Sequence, residues 1–159
     1  MTLSIRPATA EDAGIVHQFI TELAIFEKAE DEVEASVDDI KKSLFSTTAT
    51  AHCIICENDG IPIGFAVYFY NYSTWQGKNG VYLEDLYVTP DARGKGAGKA
   101  LLKHLAKHAV DNDCGRFEWS VLDWNQPAID FYESFGAKAK SEWLGYRLSG
   151  EELKTFAAS

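Results

Sequence analysis

Three groups of residues have the types and spacing to do chemistry. The first is Arg93-Gly94-Lys95-Gly96-Ala97-Gly98-Lys99, set between a β-rich run and an amphipathic one. Glycines let backbone approach an anion closely and adopt positive φ. A helix starting there offers unpaired N–H groups and the positive end of its dipole. Together these features make an anion cradle. The loop is not a Walker A sequence, because Ala100 follows Lys99 where a magnesium-binding hydroxyl is needed. The dinucleotide pattern also fails, since it needs a glycine at Lys99. A connector that binds nothing is the plain alternative. The second group is the adjacent pair Glu84 and Asp85. A carboxylate can steer an ammonium group and accept its proton, although many carboxylates are merely solvated. Regular alternation puts Tyr82, Glu84 and Leu86 on one face and Leu83, Asp85 and Tyr87 on the other, so a regular strand separates the two acids. The third is Tyr132, a phenol that donates well. It shares a helix side with Ile129 and Phe135, so packing is a serious rival.

The elements that must position these groups are legible as periods. Leu3 to Arg6 reads as a short strand, and Thr9 with Asp12 as a capping-box-like helix start. Ile15, Phe19, Leu23 and Phe26 predict a helix from about Ala10 to Glu27. An acidic stretch, Glu30 to Glu34, follows, and Val37, Ile40, Lys41 and Leu44 suggest a shorter helix. Strands are predicted over Ala51–Cys56, Ile63–Tyr70, Val81–Val88, Phe117–Leu122 and Trp143–Leu148. Asn58-Asp59-Gly60 is a strong turn signal. Leu101, Leu102, Leu105 and Ala109 give the helix after the glycine loop. Pro127 opens another that runs to Phe135 and stops at Gly136. No linker or repeat divides the chain, so one domain over residues 1–159 is expected, α/β in class.

Arg93-x-x-Gly96-x-Gly98 after a strand resembles the pyrophosphate-binding motif of the GNAT acetyltransferases. Tyr82-Leu83-Glu84-Asp85-Leu86-Tyr87-Val88 and Trp124-Asn125-Gln126-Pro127-Ala128-Ile129-Asp130-Phe131-Tyr132 resemble segments of the spermidine/spermine (diamine) N-acetyltransferases, and Ile5-Arg6-Pro7-Ala8-Thr9 looks like their N-terminus. Phe26-Glu27-Lys28, Tyr72-Ser73-Thr74-Trp75 and Leu122-Asp123-Trp124-Asn125-Gln126 look most like the branch that prefers thialysine. The loop between Asp59 and Ile61 is shorter than in the animal enzymes, and the segment after Tyr146 matches poorly.

The resemblance implies a GNAT fold: a mixed, mostly antiparallel twisted sheet flanked by helices. It implies acetyl transfer from acetyl-CoA to a small cationic amine by direct attack in a ternary complex. A free alkylamine with a pKa of about 10.4 is mostly protonated at neutral pH, and exposing its lone pair costs about 4 kcal/mol. By resemblance, Glu84 takes that proton and Tyr132 protonates the departing sulfur. The family's strand bulges near Glu84, which re-aims one acid. The main chain of Leu86, Tyr87 and Val88 would pair with the pantetheine arm as an added strand does. Arg93, Gly94, Lys95, Gly96, Ala97, Gly98 and Lys99 would hold the pyrophosphate. Trp119, Ser120, Asn125, Gln126, Pro127 and Ala128 match the remaining cofactor contacts. Phe26, Glu27, Glu84 and Asp85 are the implied substrate-binding set. A homodimer is expected on the same ground. The rival readings are an enzyme acting on protein or peptide amines and an idle acyl-CoA-binding module.

Bulk properties narrow the field. The 159 residues carry a net charge of −9, which disfavours nucleic acid as a partner and suits a cationic substrate. No apolar run approaches the roughly 18 residues of a membrane span. There is no signal-peptide pattern, and three cysteines without framework spacing fit a reduced, cytoplasmic chain. Cys53-x-x-Cys56 lies in a strand, where residues three apart diverge. His104 and His108 sit among lysines with no third ligand, so no metal is expected.

Overall fold

Alternation and hairpin chemistry build the sheet. The computed structural model describes residues 2–159. They divide into two compact units, one ending at Ser120 and the other covering Val121–Ser159. The first contains strands β1 (Leu3–Pro7), β2 (His52–Asn58), β3 (Ile61–Ser73), β4 (Lys78–Val88) and β5 (Phe117–Trp119). Their spatial order is β1-β2-β3-β4-β5. The first three pairings are antiparallel and the last is parallel. This is the mixed, mostly antiparallel sheet expected. The β2–β3 hairpin turns on Asp59 and Gly60, both left-handed at φ 51° and 82°, the backbone a tight two-residue hairpin needs.

Helices cover both faces. On one side α1 (Ala13–Phe26) and α2 (Val37–Phe45) bring Ala13, Val16, Phe19 and Ile40 onto Cys53, Ile55, Phe65, Val67 and Tyr87. Each large apolar side chain buried there stabilises the fold by about 2 kcal/mol. On the other side α3 (Ala97–Asp111) packs through Leu101, Leu102 and Leu105, all buried, and through His108 against Tyr68, ring centroids 5.5 Å apart. Cys53 lies in the α1-side core while Cys56 does not. Both thiols are free, as the strand's alternation predicts.

The start of α1 is stapled. Ala10–Asp12 form a 3-10 turn, and Thr9 and Asp12 close a reciprocal capping box. Both terminal nitrogens of Arg6 donate to the Asp12 carboxylate at 2.8 and 2.9 Å. The Thr9 amide adds a third bond at 2.7 Å.

The second unit holds α4 (Gln126–Ser134) and α5 (Gly150–Ala157). Pro127 lies in the first turn of α4. Gly136 closes its end at φ 98°, with its amide bonded to the Glu133 carbonyl. Two expectations change here. The strand expected to reach Leu122 stops at Trp119. The strand expected over Trp143–Leu148 does not form: that stretch is irregular and exposed. A strand is stable only when a neighbour satisfies its backbone groups, and none lies beside it among the described residues. The terminal helix α5 was not anticipated. Its signal is Ser149 at the N-cap position with Glu151 and Glu152 in the first turn.

Candidate active site

The glycine loop joins β4 to α3. Pro90–Ala92 make a 3-10 turn, and Gly94 and Gly96 follow at φ 78° and 90°. A side chain at either would meet no protein atom within 4 Å. The left-handed backbone requires glycine there, and the space above it is open. Gly98 lies closer, its added Cβ 3.9 Å from Leu86 and 4.0 Å from Val88, so a small residue seats the helix on the strand. Gly96 is the N-cap of α3, and Ala100 is the first amide to reach a helical acceptor, the Gly96 carbonyl at 2.9 Å. The amides of Ala97, Gly98 and Lys99 therefore point out of the helix end. Lys95 and Lys99 are exposed beside them. Backbone and charge fit a diphosphate.

The strand that leads to this loop has an open flank. β5 pairs with β4 only over Val81–Leu83, so among the described residues no strand lies beside Glu84–Val88 on the side away from β3. Thr89 donates to Ile63 across the Gly64–Val88 pair. In an antiparallel ladder this makes Val88 a residue whose own amide and carbonyl face outward. Alternation makes Leu86 another, whereas the Tyr87 backbone faces β3. The expected backbone trio thus separates: Leu86 and Val88 face the open flank, and Tyr87 does not.

A bulge gathers the acids. Val67 pairs with Asp85 and Tyr68 with Leu83, so Glu84 is the extra residue. The parity expected of a regular strand breaks there. Leu86 faces α3 along with Leu83, and Asp85 shares the α1 face with Tyr87. Asp85 is half-buried and Glu84 exposed. Burial lifts the Asp85 carboxyl to about 6, helped by the negative charges of Glu84 and Glu27. Glu27, the C-cap of α1, is itself raised by partial desolvation. Glu84 and Glu27 thus both act on Asp85, an arrangement an ammonium group would relieve.

The end of α1 carries the other acceptor-side residues. Phe26 is 44% exposed. The Arg93 guanidinium lies 5.4 Å from its ring centre and 5.5 Å from that of Tyr87. Its Nε donates to the Val88 carbonyl at 2.9 Å. The Tyr87 hydroxyl donates to Glu22 at 2.7 Å, and burial, then Glu22, pushes it up to about 12. Glu22 was missed in the sequence. It sits four residues before Phe26, one helical turn back on the same side.

Trp119 and Ser120 sit at the end of β5. The Trp119 ring is 4.9 Å from Phe117, and Ser120 shares a hydrogen bond with the Tyr82 hydroxyl at 2.8 Å. In the second unit, Asn125 N-caps α4, its oxygen accepting from Ala128 at 3.4 Å. Gln126 donates to Asp130 at 2.7 Å, Pro127 is exposed and Ala128 half-buried. Tyr132 is half-buried on α4, its ring 5.8 Å from Phe131 and 6.3 Å from Phe135. No group of three metal-ligating side chains occurs among the described residues. His108 is bonded to Tyr70.

The strand flank is open and ends in a left-handed glycine turn at a helix start, with acids near its other end. A family model described as the acetyltransferase (GNAT) family matches residues 17–137. The chain belongs to that family and is an N-acetyltransferase. It is 37% identical over 164 residues to the thialysine N-epsilon-acetyltransferase of Bos taurus, covering 96% of each protein. It is 35% identical to the corresponding Caenorhabditis elegans protein, over 94% of this chain and 93% of that one. An L-ornithine N5-acetyltransferase of Arabidopsis thaliana is 45% identical across 61% of this chain and 42% of its own length. A solved integron cassette protein from Vibrio cholerae superposes with a TM-score of 0.84 at 30% identity, covering 100% of this chain and 99% of that one. The expected fold is borne out.

Proposed function

We propose that the chain transfers the acetyl group of acetyl-CoA directly to the primary amine of a small cationic substrate, in the class of thialysine and other lysine analogues, diamines and polyamines. The carrying observation is the β4 bulge, which turns Asp85 to the Glu27 side and couples it with Glu84 beside the free flank of Leu86 and Val88. Names of relatives support the acceptor class, and the loop at 93–99 supports the cosubstrate.

In this reading the Ala97, Gly98 and Lys99 amides hold the diphosphate, and the outward groups of Leu86 and Val88 pair with the pantetheine amides. Glu27, Glu84 and Asp85 draw in the ammonium. A carboxylate of the bulge then accepts its proton, directly or through water. This reading favours Asp85 over Glu84 for that step, supported by its turn to the α1 face and its raised carboxyl. The amine nitrogen attacks the thioester carbonyl, a C–N bond forms and the C–S bond breaks. Tyr132 gives the leaving sulfur its proton, a role resting on family likeness. The same reading treats residues 1–159 as one acetyltransferase domain, supported by a family match that runs from the first unit into the second. It also takes the working form as a homodimer: Trp143, Leu144 and Tyr146 are 66%, 79% and 92% exposed, a cluster of apolar surface that a partner would cover.

An amine panel read by thiol release tests the reading. Thialysine, ornithine, lysine, spermidine and short peptides are compared at equal concentration with acetyl-CoA. Release with small amines and little with peptides is expected. Preference for peptides would move the chain to a protein-modifying enzyme, and no release with any amine would leave an acyl-CoA-binding module.

A further inference from the structure

Arg93 belongs by sequence to the phosphate loop, yet its side chain is engaged elsewhere. Its Nε–H is committed to the Val88 carbonyl, one of the outward groups on the open flank of β4. The guanidinium lies against Phe26 from α1 and Tyr87 from β4. Tyr87 is tied back to α1 through Glu22. No carboxylate among the described residues forms an ion pair with Arg93. A cation placed only to meet phosphates has no need of this geometry. A directional N–H at the Nε position, held on a strand carbonyl while the charged end lies beside two rings, is what guanidinium offers and ammonium does not.

We propose that Arg93 is a positioning residue: through Nε and its place beside the Phe26 and Tyr87 rings it braces the acceptor end of α1 against the cofactor-bearing edge of β4, setting Phe26 relative to the Val88 flank. The assignment deepens the functional reading above and rests on it. Any contact of its outer nitrogens with the diphosphate is a separate role. Two consequences follow. Arg93 occupies one of the two lone pairs of the Val88 carbonyl, so the pantetheine arm shares that acceptor with the guanidinium. The acceptor site is also stiffened by a residue on the cofactor loop, so damage to Arg93 reaches the amine as well as the cosubstrate.

Three substitutions separate brace from charge. Arg93→Lys keeps the cation but has no N–H at the Nε position and no flat face. Arg93→Gln places an amide N–H the same number of bonds from the backbone and stays planar, but loses the charge. Arg93→Met has neither. Each is assayed with acetyl-CoA and with acetylated pantetheine, which carries the thioester arm without the diphosphate, and the amine KM is measured for thialysine. Arg93 is exposed, and thermal melting checks that each variant folds.

With the pantetheine donor, Arg93→Lys and Arg93→Met are expected to raise the amine KM and lower kcat/KM by about tenfold, the scale of one well-placed hydrogen bond to a charged group. Arg93→Gln recovers most of that loss, and its remaining defect shows only with acetyl-CoA. The opposite order, with Arg93→Lys like the parent on both donors and Arg93→Gln impaired on acetyl-CoA alone, would make Arg93 a phosphate ligand and overturn the brace. If one of Arg93→Lys and Arg93→Met unfolds, the other carries the test. No transfer by the parent chain would instead overturn the functional reading, and this assignment with it.

Discussion

Asp12 and Asp85 are both aspartates, one at the start of α1 and the other on β4 within reach of the charge at the end of α1, and the fold treats them oppositely. Asp12 accepts from Arg6 twice and from Thr9, and these bonds, that to the Arg6 guanidinium first, hold its carboxyl down to about 2. Asp85 has burial and two negative neighbours, which raise it to about 6. The first acid is spent on structure, fixing where the helix begins. The second is left with an unmet demand for positive charge. In the reading proposed above, an acid with no cationic partner among the described residues receives one from solution.

The contrast is widest in activity. Asp85→Asn is expected to lower kcat/KM by about 10²-fold, the lower range for losing a general base. The parent rate is expected to rise with pH through about 6 as Asp85 ionises, and the variant to lose that limb. A limb unchanged in the variant would move the proton acceptor to another group.

Tyr132→Phe sharpens the same test from the second unit. It is expected to cut turnover by about 10²-fold, as removal of a general acid does, while leaving acetyl-CoA affinity and the limb near pH 6 in place. An unchanged rate would remove Tyr132 as the acid.

Stability should move the other way at the two aspartates. Asp12 has a lowered folded pKa, so its contribution is present above the unfolded value near 4 and is lost as pH falls through about 2. Asp12→Asn is expected to cost about 1 kcal/mol at pH 7, the effect of the lowered carboxyl being reduced by solvent screening, with activity near that of the parent. Asp85 has a raised folded pKa. Its contribution is fully present below the unfolded value and is lost as pH rises through about 6. Asp85→Asn should therefore raise the melting temperature at pH 7.5 and change it little at pH 4. Equal losses from both substitutions would erase the comparison.

A smaller effect is expected at the loop. Gly96→Val should weaken acetyl-CoA binding by about tenfold, since a left-handed position then carries a branched side chain facing the open cradle. Full affinity would contradict the cradle.

Periodic features were legible in the residues. Ile15, Phe19, Leu23 and Phe26 announced α1, and Asn58-Asp59-Gly60 announced the hairpin, because each depends on local spacing. The glycine loop was legible for the same reason. What escaped depends on distant partners. Strand parity separated Glu84 from Asp85, and only the register against β3 shows that the bulge moves Asp85 to the α1 face. Arg93 read as one of three cations on a loop, and nothing local foretold its bond to Val88. Trp143–Leu148 had a strand's composition, but composition supplies no neighbour. Asn125 turned out to cap α4, a task its position before Gln126-Pro127 allowed but did not single out.

Calorimetric titration of the purified chain with coenzyme A most directly tests the claim on which the rest stands, that the backbone between Gly94 and Lys99 grips a diphosphate. Saturable heat at one site per chain, diminished in Gly96→Val, is the result the account predicts. No heat from the parent chain, or equal heat from both, would contradict it.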